Sequence, residues 1–302
     1  MPRKNVLITG CGPNGIGGSL AKEFQLHGHR VFACGLSDSL LVGFRELGLD
    51  TVVMDVTSAA SISEAVAHVR KLADGKLDIL INNAGVYHCM PCTDTSIDDA
   101  RRLFDVNVLG VLAVTQAFVP LLLEAGSNSI VANLGSINTI VRPPFMAMYN
   151  ASKAALDALS ATMRTELAPL GIRVVIVKTG SVRSDLFNNS PPQRLPEHSL
   201  YMPLKKQIEG RKMLEGSHYI DPGLYAQSVV SELLRPSVKR VIWQGGLTTM
   251  AWLMSYFMPD GLMVRSKGTL FCHGESTNMK TTVLQDYILT KGGGLEMLKT
   301  PK

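Results

Sequence analysis

The stretch VLITGCGPNGIGGSLAKEF, residues 6–24, decides the fold because a strand, a glycine loop and a helix follow one another directly in it. Its apolar start is rich in strand formers, and its end has helical composition. Glycines at such a junction let backbone amides approach a pyrophosphate at the positive end of the helix. The loop can be read in two registers, as Gly10-x-Gly12-x-x-Gly15 or as Thr9-Gly10 followed by Gly15-Ile16-Gly17. A plain tight turn is the alternative for a lone glycine loop.

A second pattern carries acid/base chemistry. Tyr149 and Lys153 stand four residues apart, and Ser136 precedes them. On a helix this spacing places the ammonium beneath the phenol, and a nearby cation moves the pKa of a phenol towards neutral pH. Tyr149 is therefore predicted to exchange a proton with an alcohol or carbonyl oxygen. Taken alone, the pair also fits the start of an ordinary amphipathic helix.

Two further motifs complete the set. Residues 77–85 read LDILINNAG, an apolar strand that ends in Asn-Asn-Ala-Gly, and residues 104–110 read FDVNVLG, which places Asn107 in a long helical pattern. In order and spacing, the four segments resemble the short-chain dehydrogenase/reductases over roughly residues 4–260.

The resemblance implies a role for each motif residue. Ser136 would bind the substrate oxygen, Tyr149 would transfer its proton, Lys153 would lower the phenol pKa and hold the nicotinamide ribose, and Asn107 would bind a water that links Lys153 to solvent. No metal site is expected. The cofactor contacts it implies are Gly10, Gly12, Asn14, Gly15, Ile16, Gly17, Leu36, Ser37, Asp55, Val56, Asn83, Ala84, Gly85, Tyr149, Lys153, Gly180, Val182 and Ser184.

The end of the second predicted strand bears on cofactor choice. Relatives that prefer NAD place an acid where this chain has Gly35, and relatives that prefer NADP usually place Arg where it has Leu36. A missing acid leaves room for a 2′-phosphate near Ser37, so NADP(H) is favoured. NAD(H) stays open as the alternative, because Asp38 could reverse the preference.

The segment after the sixth predicted strand narrows the resemblance. Where the family commonly has Pro-Gly, this chain has Lys178-Thr179-Gly180, and Trp243-Gln244-Gly245 follows later. With the spacing of the glycine loop, these features resemble the branch that contains fungal NADPH-dependent 1-acyldihydroxyacetone-phosphate reductases and many oxidoreductases of secondary metabolism. The resemblance implies carbonyl reduction, or the reverse alcohol oxidation, on a fairly apolar substrate. A non-redox isomerase or cyclase, or a ligand-binding protein with a structural cofactor, is the alternative.

Strand and helix patterns alternate, which predicts an α/β fold: a Rossmann-like, doubly wound parallel sheet of about seven strands with helices on both faces. One helix should begin after Ser96 and run to about Glu124, and another from Tyr149 to about Leu170. The domain should span 1–272, with a substrate lid at 185–220, and a polar extension at 273–302. The predicted strands are 6–9, 30–34, 51–55, 79–82, 129–134, 173–177 and 240–243.

The composition of the chain limits which ligands and partners it is expected to bind. The net charge of +5 is scattered along the chain, which argues against nucleic-acid binding. Four basic residues of the lid could meet a phosphate or carboxylate, or form a solvated helix face: Lys205, Lys206, Arg211 and Lys212. Cys89 and Cys92 have C-x-x-C spacing, but no second ligand pair follows, so neither a redox nor a zinc role is favoured.

The stretch from Val241 to Pro259 contains no charged residue. It predicts a core helix with a wall of the substrate pocket, or peripheral contact with a lipid surface through 241–264. The start of the sequence shows no signal peptide, so a cytoplasmic location is expected, with the surface of the endoplasmic reticulum or a lipid droplet as a peripheral site. In relatives, the helices that carry Asn107 and Tyr149 form the subunit contact, which implies a homodimer or homotetramer.

Overall fold

The glycine loop lies at the carboxyl edge of a parallel sheet of seven strands, in the order β3-β2-β1-β4-β5-β6-β7. The order reverses between β1 and β4, and ligands of open α/β sheets bind at such a point. The doubly wound fold predicted from the sequence is confirmed. The strands are β1 Asn5–Ile8, β2 Arg30–Gly35, β3 Asp50–Val53, β4 Ile79–Asn82, β5 Ser129–Leu134, β6 Ile172–Thr179 and β7 Val241–Gln244.

The computed structural model describes residues 2–186, 190, 192–210 and 218–257. Arg211 and Lys212 of the predicted lid, the end of the 241–264 segment and the predicted 273–302 extension lie outside these residues. The helices of the described part are α1 Ile16–Leu26, α2 Val42–Glu46, α3 Ala59–Leu72, α4 Ile97–Phe104, α5 Gly110–Glu124, α6 Asn138–Val141, α7 Ala147–Leu167, α8 Lys205–Glu209, α9 Pro222–Leu233 and α10 Thr248–Phe257.

The sheet is apolar on both faces because helices cover both. Strand β5 is buried along its whole length, as expected for a central parallel strand. On one face, α1 and α9 bury Phe24 and Tyr225 against the sheet. On the other, α3, α5 and α7 bury Val69, Phe118 and Met163. This double cover holds the carboxyl ends of the strands in fixed relative positions.

The predicted helix from Ser96 to Glu124 is confirmed, with one modification. The Ser96 side chain caps α4 by accepting a 3.0 Å hydrogen bond from the amide of Asp99. A π turn at Asp105–Leu109 then joins α4 to α5. The combined helix Ile97–Glu124 is long and apolar enough for a membrane span, since an 18-residue window within it has a mean hydropathy of 2.0. It packs against α3 and the sheet, however, so its apolar face has a partner within the fold.

The ends of β4 and β5 are as predicted, and those of the other strands differ from the predictions by at most two residues. Strand β3 ends two residues earlier than predicted, and β6, which was predicted to end at Val177, continues to Thr179. Lys178 and Thr179 pair with Trp243 and Gln244 of β7. A charged residue therefore lies inside the sheet, close to the segment that follows β5.

Candidate active site

The glycine loop is held against the segment after β4. Gly10 has φ +68°, and a Cβ there would lie 2.6 Å from the Cα of Ala84. Only glycine fits this position, because the conformation is left-handed and the neighbouring backbone leaves no space. The loop also contacts the end of β2 through a 2.6 Å hydrogen bond from the amide of Cys11 to the carbonyl of Cys34.

Thr9 and Asn83 bind one another's backbones in both directions. The Thr9 hydroxyl accepts hydrogen bonds from the amides of Asn83 (3.0 Å) and Ala84 (2.9 Å). The Asn83 side chain donates to the carbonyls of Thr9 (2.8 Å) and Gly10 (3.0 Å). Asn83, which was predicted to contact the cofactor, therefore uses both its backbone amide and its side-chain amide to hold the glycine loop.

The loop fits the pyrophosphate of a dinucleotide. Among the described residues, and apart from its own chain neighbours, no atom lies within 4 Å of the place where a Cβ of Gly12 would stand, so the loop is open on that side. Helix α1 begins at Ile16 with Gly15 as its N-cap, and this cap carries no side-chain hydrogen bond. The first turn also has no acidic residue. The free amides and the positive end of the helix thus face an anion site of the expected shape, with Asn14 exposed at its rim.

The end of β2 carries a charge pair that the sequence motifs did not reveal. Leu36 is 67% exposed, and the Ser37 hydroxyl shares a 2.9 Å hydrogen bond with Ser39. Arg45 of α2 binds both carboxylate oxygens of Asp38, at 2.6 and 2.8 Å. The carboxylate suspected of opposing a 2′-phosphate is therefore paired with a guanidinium.

The remaining predicted cofactor positions lie along the same edge. After β3, the Asp55 carboxylate accepts hydrogen bonds from the amide (2.9 Å) and hydroxyl (2.7 Å) of Thr57. Val56 is buried against Gly110. After β6, Gly180 touches the backbone of Gly246, while the neighbouring positions, Val182 and Ser184, are buried and half-buried.

The four predicted catalytic residues come together beside this edge. Ser136 follows β5, Tyr149 and Lys153 lie in α7, and Asn107 lies in the π turn. All four are at least nine-tenths buried. A Cβ on Gly85 would stand 3.3 Å from Asn107 Oδ1 and 3.8 Å from Lys153 Nζ, so the missing side chain lets these two groups approach.

The predicted direction of the Tyr149 pKa is wrong. Burial of the phenol raises its pKa to about 12, and a side-chain hydrogen bond with Ser136 opposes this rise. Lys153 does not reverse the shift, because its Nζ donates a 2.9 Å hydrogen bond to the carbonyl of Leu134 and lies 5.9 Å from the centre of the phenol ring. Desolvation of the phenolate therefore outweighs the attraction of the cation.

Burial also lowers the pKa of Lys153 to about 8, with the Asp157 carboxylate opposing the shift. Its ammonium thus becomes a group that titrates close to neutral pH. Such a group can hold a hydroxyl as a cation and release a proton within a physiological range.

Asn107 spans two elements. Its Oδ1 accepts a 2.9 Å hydrogen bond from the amide of Val86, and its Nδ2 donates to the carbonyl of Val86 (3.0 Å) and to the Ser152 hydroxyl (3.1 Å). The side chain thus joins the segment after β4 to the helix that carries Lys153. The predicted water contact would have to share these atoms or use the main chain.

An apolar wall, which the motifs did not predict, stands beside Tyr149. The Tyr87 ring meets the Tyr149 ring edge-on, with centroids 5.4 Å apart. Leu103 and Met146 belong to the same buried cluster. The only sequence signal was position, since Tyr87 follows the Asn-Asn-Ala-Gly motif by two residues.

The described part of the predicted lid lies over this wall. The side chain of Gln193 accepts a 2.7 Å hydrogen bond from the amide of Cys89, which is buried, whereas Cys92 is exposed. In α8, Lys205 pairs with Glu209 at 3.9 Å, and both Lys205 and Lys206 are exposed. This arrangement favours the solvated basic face over an anion site for those two lysines.

A doubly wound sheet with an anion cradle at its switch point, and a buried serine, tyrosine and lysine beside it, defines a dinucleotide-dependent oxidoreductase of the α/β class. Sequence comparison agrees, since the model of the short chain dehydrogenase family matches residues 4–195. The chain belongs to the short-chain dehydrogenase family. Members of this family bind small-molecule substrates and cofactors and are often oligomeric.

Three relatives place it within the family. It is 36% identical to the short-chain dehydrogenase ptmH of Penicillium ochrochloron, over 89% of this chain and 99% of the relative. It is also 36% identical to the NADPH-dependent 1-acyldihydroxyacetone phosphate reductase of Schizosaccharomyces pombe, over 82% of this chain and 87% of the relative. Among solved structures, a short-chain dehydrogenase of Streptomyces avermitilis matches with a TM-score of 0.73 at 25% identity, covering 89% of this chain and 96% of that one.

Proposed function

We propose that this chain is an NADP(H)-dependent oxidoreductase that reduces the carbonyl of a fairly apolar substrate, or oxidises the corresponding alcohol. The substrate would be a lipid-type compound or a fungal secondary metabolite. The observation that carries the proposal is the buried pair of Ser136 and Tyr149 at the sheet edge, with Lys153 on the same helix. A hydroxyl pair of this kind can bind one oxygen and transfer one proton.

Each residue has one task in this proposal. A bound nicotinamide supplies or accepts the hydride. The Ser136 hydroxyl donates a hydrogen bond to the substrate oxygen, and Tyr149 gives that oxygen its proton. Lys153 holds the nicotinamide ribose through its ammonium. Asn107 fixes the position of α7 and, as proposed from the family, shares a water with Lys153.

The protonation state of Tyr149 suits the reductive direction. With a pKa of about 12, the phenol carries its proton at neutral pH and is ready to act as an acid. Alcohol oxidation needs the phenolate instead. A bound cofactor, with its positively charged oxidised ring, would favour that form.

Two features support NADP(H). Position 35 is a glycine and not the acid that would repel a 2′-phosphate. In addition, the guanidinium of Arg45 compensates the negative charge of Asp38. In this proposal, the Arg45 guanidinium binds the 2′-phosphate beside Ser37. The relative from Schizosaccharomyces pombe is described as NADPH-dependent, in agreement with this preference.

The apolar wall supports the substrate class. Phe145 joins the cluster around Tyr149 to a second cluster of Met90, Leu195 and Ile208. It has φ +62°, an unfavourable conformation for an aromatic residue, and its carbonyl accepts a 2.6 Å hydrogen bond from the amide of Met90. Strain of this kind persists where the surroundings fix it, and functional sites are frequent examples.

Assembly and location are part of the proposal. A homodimer or homotetramer would form through the helices that carry Asn107 and Tyr149. On the first of these, Leu109 of the π turn is 54% exposed and Leu123 of α5 is 42% exposed. On α10, the side chains of Trp252, Tyr256 and Phe257 are exposed. In this proposal they touch a lipid surface while the chain stays cytoplasmic. Light scattering on a sizing column tests the first, and flotation with liposomes tests the second.

The function is tested with a panel of ketones of increasing apolar length, supplied with NADPH or NADH, while absorbance of the reduced nicotinamide is followed. We expect turnover with NADPH on the longer ketones, and turnover lower by a factor on the order of 10² or more in Tyr149→Phe. Tight cofactor binding with no consumption on any carbonyl, in either direction, would favour the non-redox alternative.

A further inference from the structure

A second buried lysine lies behind the proposed catalytic helix. Lys178 is 9% exposed and stands near the end of β6. Its Nζ donates a 2.8 Å hydrogen bond to the hydroxyl of Thr139 and forms an ion pair with Oδ2 of Asp157. A buried ammonium destabilises the folded protein unless it is paired, so the two partners of Lys178 are the contacts that make its burial possible.

Asp157 lies one helical turn after Lys153 in α7. Its Oδ1 atom is buried and has no hydrogen-bond partner among the described residues. A Cβ on Gly135 would stand 3.3 Å from this atom, so the carboxylate packs against the segment that leads to Ser136. Lys178 is thus the cation that holds it, while Lys153 is near enough for the carboxylate to raise the pKa of its ammonium.

The two lysines hold the segment that carries Ser136 from both ends. Lys153 donates to the carbonyl of Leu134 at 2.9 Å. Lys178 donates to Thr139, whose hydroxyl in turn donates a 3.1 Å hydrogen bond to the carbonyl of Ser136. One carboxylate therefore lies close to two ammonium groups, and in this structure it pairs with that of Lys178.

We propose that Lys178 is a positioning residue, which binds Asp157 and thereby leaves the Lys153 ammonium free for the nicotinamide ribose. This rests on the role of Lys153 in the proposed function. Without Lys178, the buried carboxylate would need another counter-ion, and Lys153 is the cation one turn away. Lys153 would then be drawn from the ribose towards Asp157.

The test compares two ligands on the full chain. NADPH reaches the nicotinamide side of the site, whereas 2′,5′-ADP carries only the adenosine half and serves as an internal control. Dissociation constants are measured by titration calorimetry for the parent and for Lys178→Met, Asp157→Asn, the double variant Lys178→Met/Asp157→Asn, and Lys153→Met.

In Lys178→Met, we expect NADPH to bind about tenfold more weakly with 2′,5′-ADP unchanged, because only the ribose contact is lost. The double variant should bind NADPH within about twofold of the parent, since the competing carboxylate is gone, and Asp157→Asn should do the same. The inference is overturned if both ligands weaken together in Lys178→Met, or if NADPH binding is unchanged there.

A second comparison remains if Lys178→Met does not fold. The double variant removes both members of the Lys178–Asp157 ion pair, so selective weakening of NADPH in that protein would also overturn the inference. Lys153→Met separates this idea from the proposed function. It should lose affinity for NADPH and keep that for 2′,5′-ADP; if it keeps both, the ribose role of Lys153 fails and the inference with it.

Discussion

Asn107 donates a 3.1 Å hydrogen bond to the hydroxyl of Ser152, the residue next to Lys153. The contact is buried and crosses from the π turn to α7. Because Asn107 also pairs both backbone groups of Val86, Asn107→Ala leaves several buried polar groups unsatisfied. We expect a loss of about 2–5 kcal/mol in the free energy of unfolding. Urea denaturation measures it, with the exposed Asn14→Ala as control; a loss below about 1 kcal/mol would contradict the role.

Tyr149→Phe should lower turnover by a factor on the order of 10² or more while the cofactor dissociation constant stays nearly unchanged, because only the proton-transferring oxygen is removed. Tyr225→Phe is the matched control. Its buried hydroxyl bonds to Thr179 at 2.8 Å, away from the proposed chemistry, so this variant should remain active. Equal turnover in parent and Tyr149→Phe, where chemistry limits the rate, would eliminate Tyr149 as the acid.

The raised pKa of Tyr149 gives a spectroscopic prediction for the protein without cofactor. With a pKa of about 12, this phenol stays protonated up to about pH 10, so it adds no phenolate absorbance in that range. The difference titration of parent against Tyr149→Phe should be flat below this pH. A phenolate that appears between about pH 7 and 9 would mean that Lys153 dominates after all.

Two glycines of the same loop should respond differently to substitution. Gly10→Ala forces a side chain into a left-handed conformation at φ +68° and against Ala84, and should cost about 2 kcal/mol or more of stability. The methyl group of Gly12→Ala would meet no atom within 4 Å from the described part of the chain beyond its two neighbours, so folding should be preserved. Its methyl group would instead enter the cradle and weaken cofactor binding. Thermal melts and cofactor titrations of both variants distinguish the two effects; similar behaviour would refute the assignment of the open side.

Arg45→Ala should raise the NADP dissociation constant about tenfold and leave that of NAD within about threefold, since it removes a cation and unmasks Asp38. Arg101→Ala serves as control, because Arg101 forms a comparable exposed pair with Asp98 on α4. Leu36→Arg should strengthen NADP binding and Gly35→Asp should reverse the preference. If none of these changes moves the ratio of the two constants, the 2′-phosphate lies elsewhere.

The parts of the fold that depend on neighbouring residues could be predicted from the sequence. The strand, glycine loop and helix at residues 6–24 depend on neighbouring residues, and so do the seven strand patterns, which the structure confirms with small shifts at their ends. The four catalytic candidates come together because the family motifs fix their positions along known elements. Their spacing in sequence carries that information.

Interactions between charged or titratable groups that lie far apart along the chain could not be predicted from the sequence. The pKa of Tyr149 depends on burial by Tyr87 and on a carbonyl of Leu134 that draws Lys153 away, and neither contact follows from a four-residue spacing. The ion pair of Lys178 and Asp157 joins residues 21 positions apart. The sequence indicated this ion pair only through Lys178, a lysine at the end of an apolar strand. A search for charged residues in predicted buried strands would have found it.

The reciprocal hydrogen bonds between Thr9 and Asn83 bear on how a cofactor enters. A cradle held in shape by the side chains of Thr9 and Asn83 is preorganised, so little conformational entropy is lost when it is filled. Association should then need no slow rearrangement of the loop, and differences in affinity among nucleotides should arise mainly from how fast they leave. Thr9→Val would remove the hydroxyl that accepts hydrogen bonds from the amides of Asn83 and Ala84. The empty loop should then fluctuate among several conformations. Because only one of these binds the nucleotide, association should be slower.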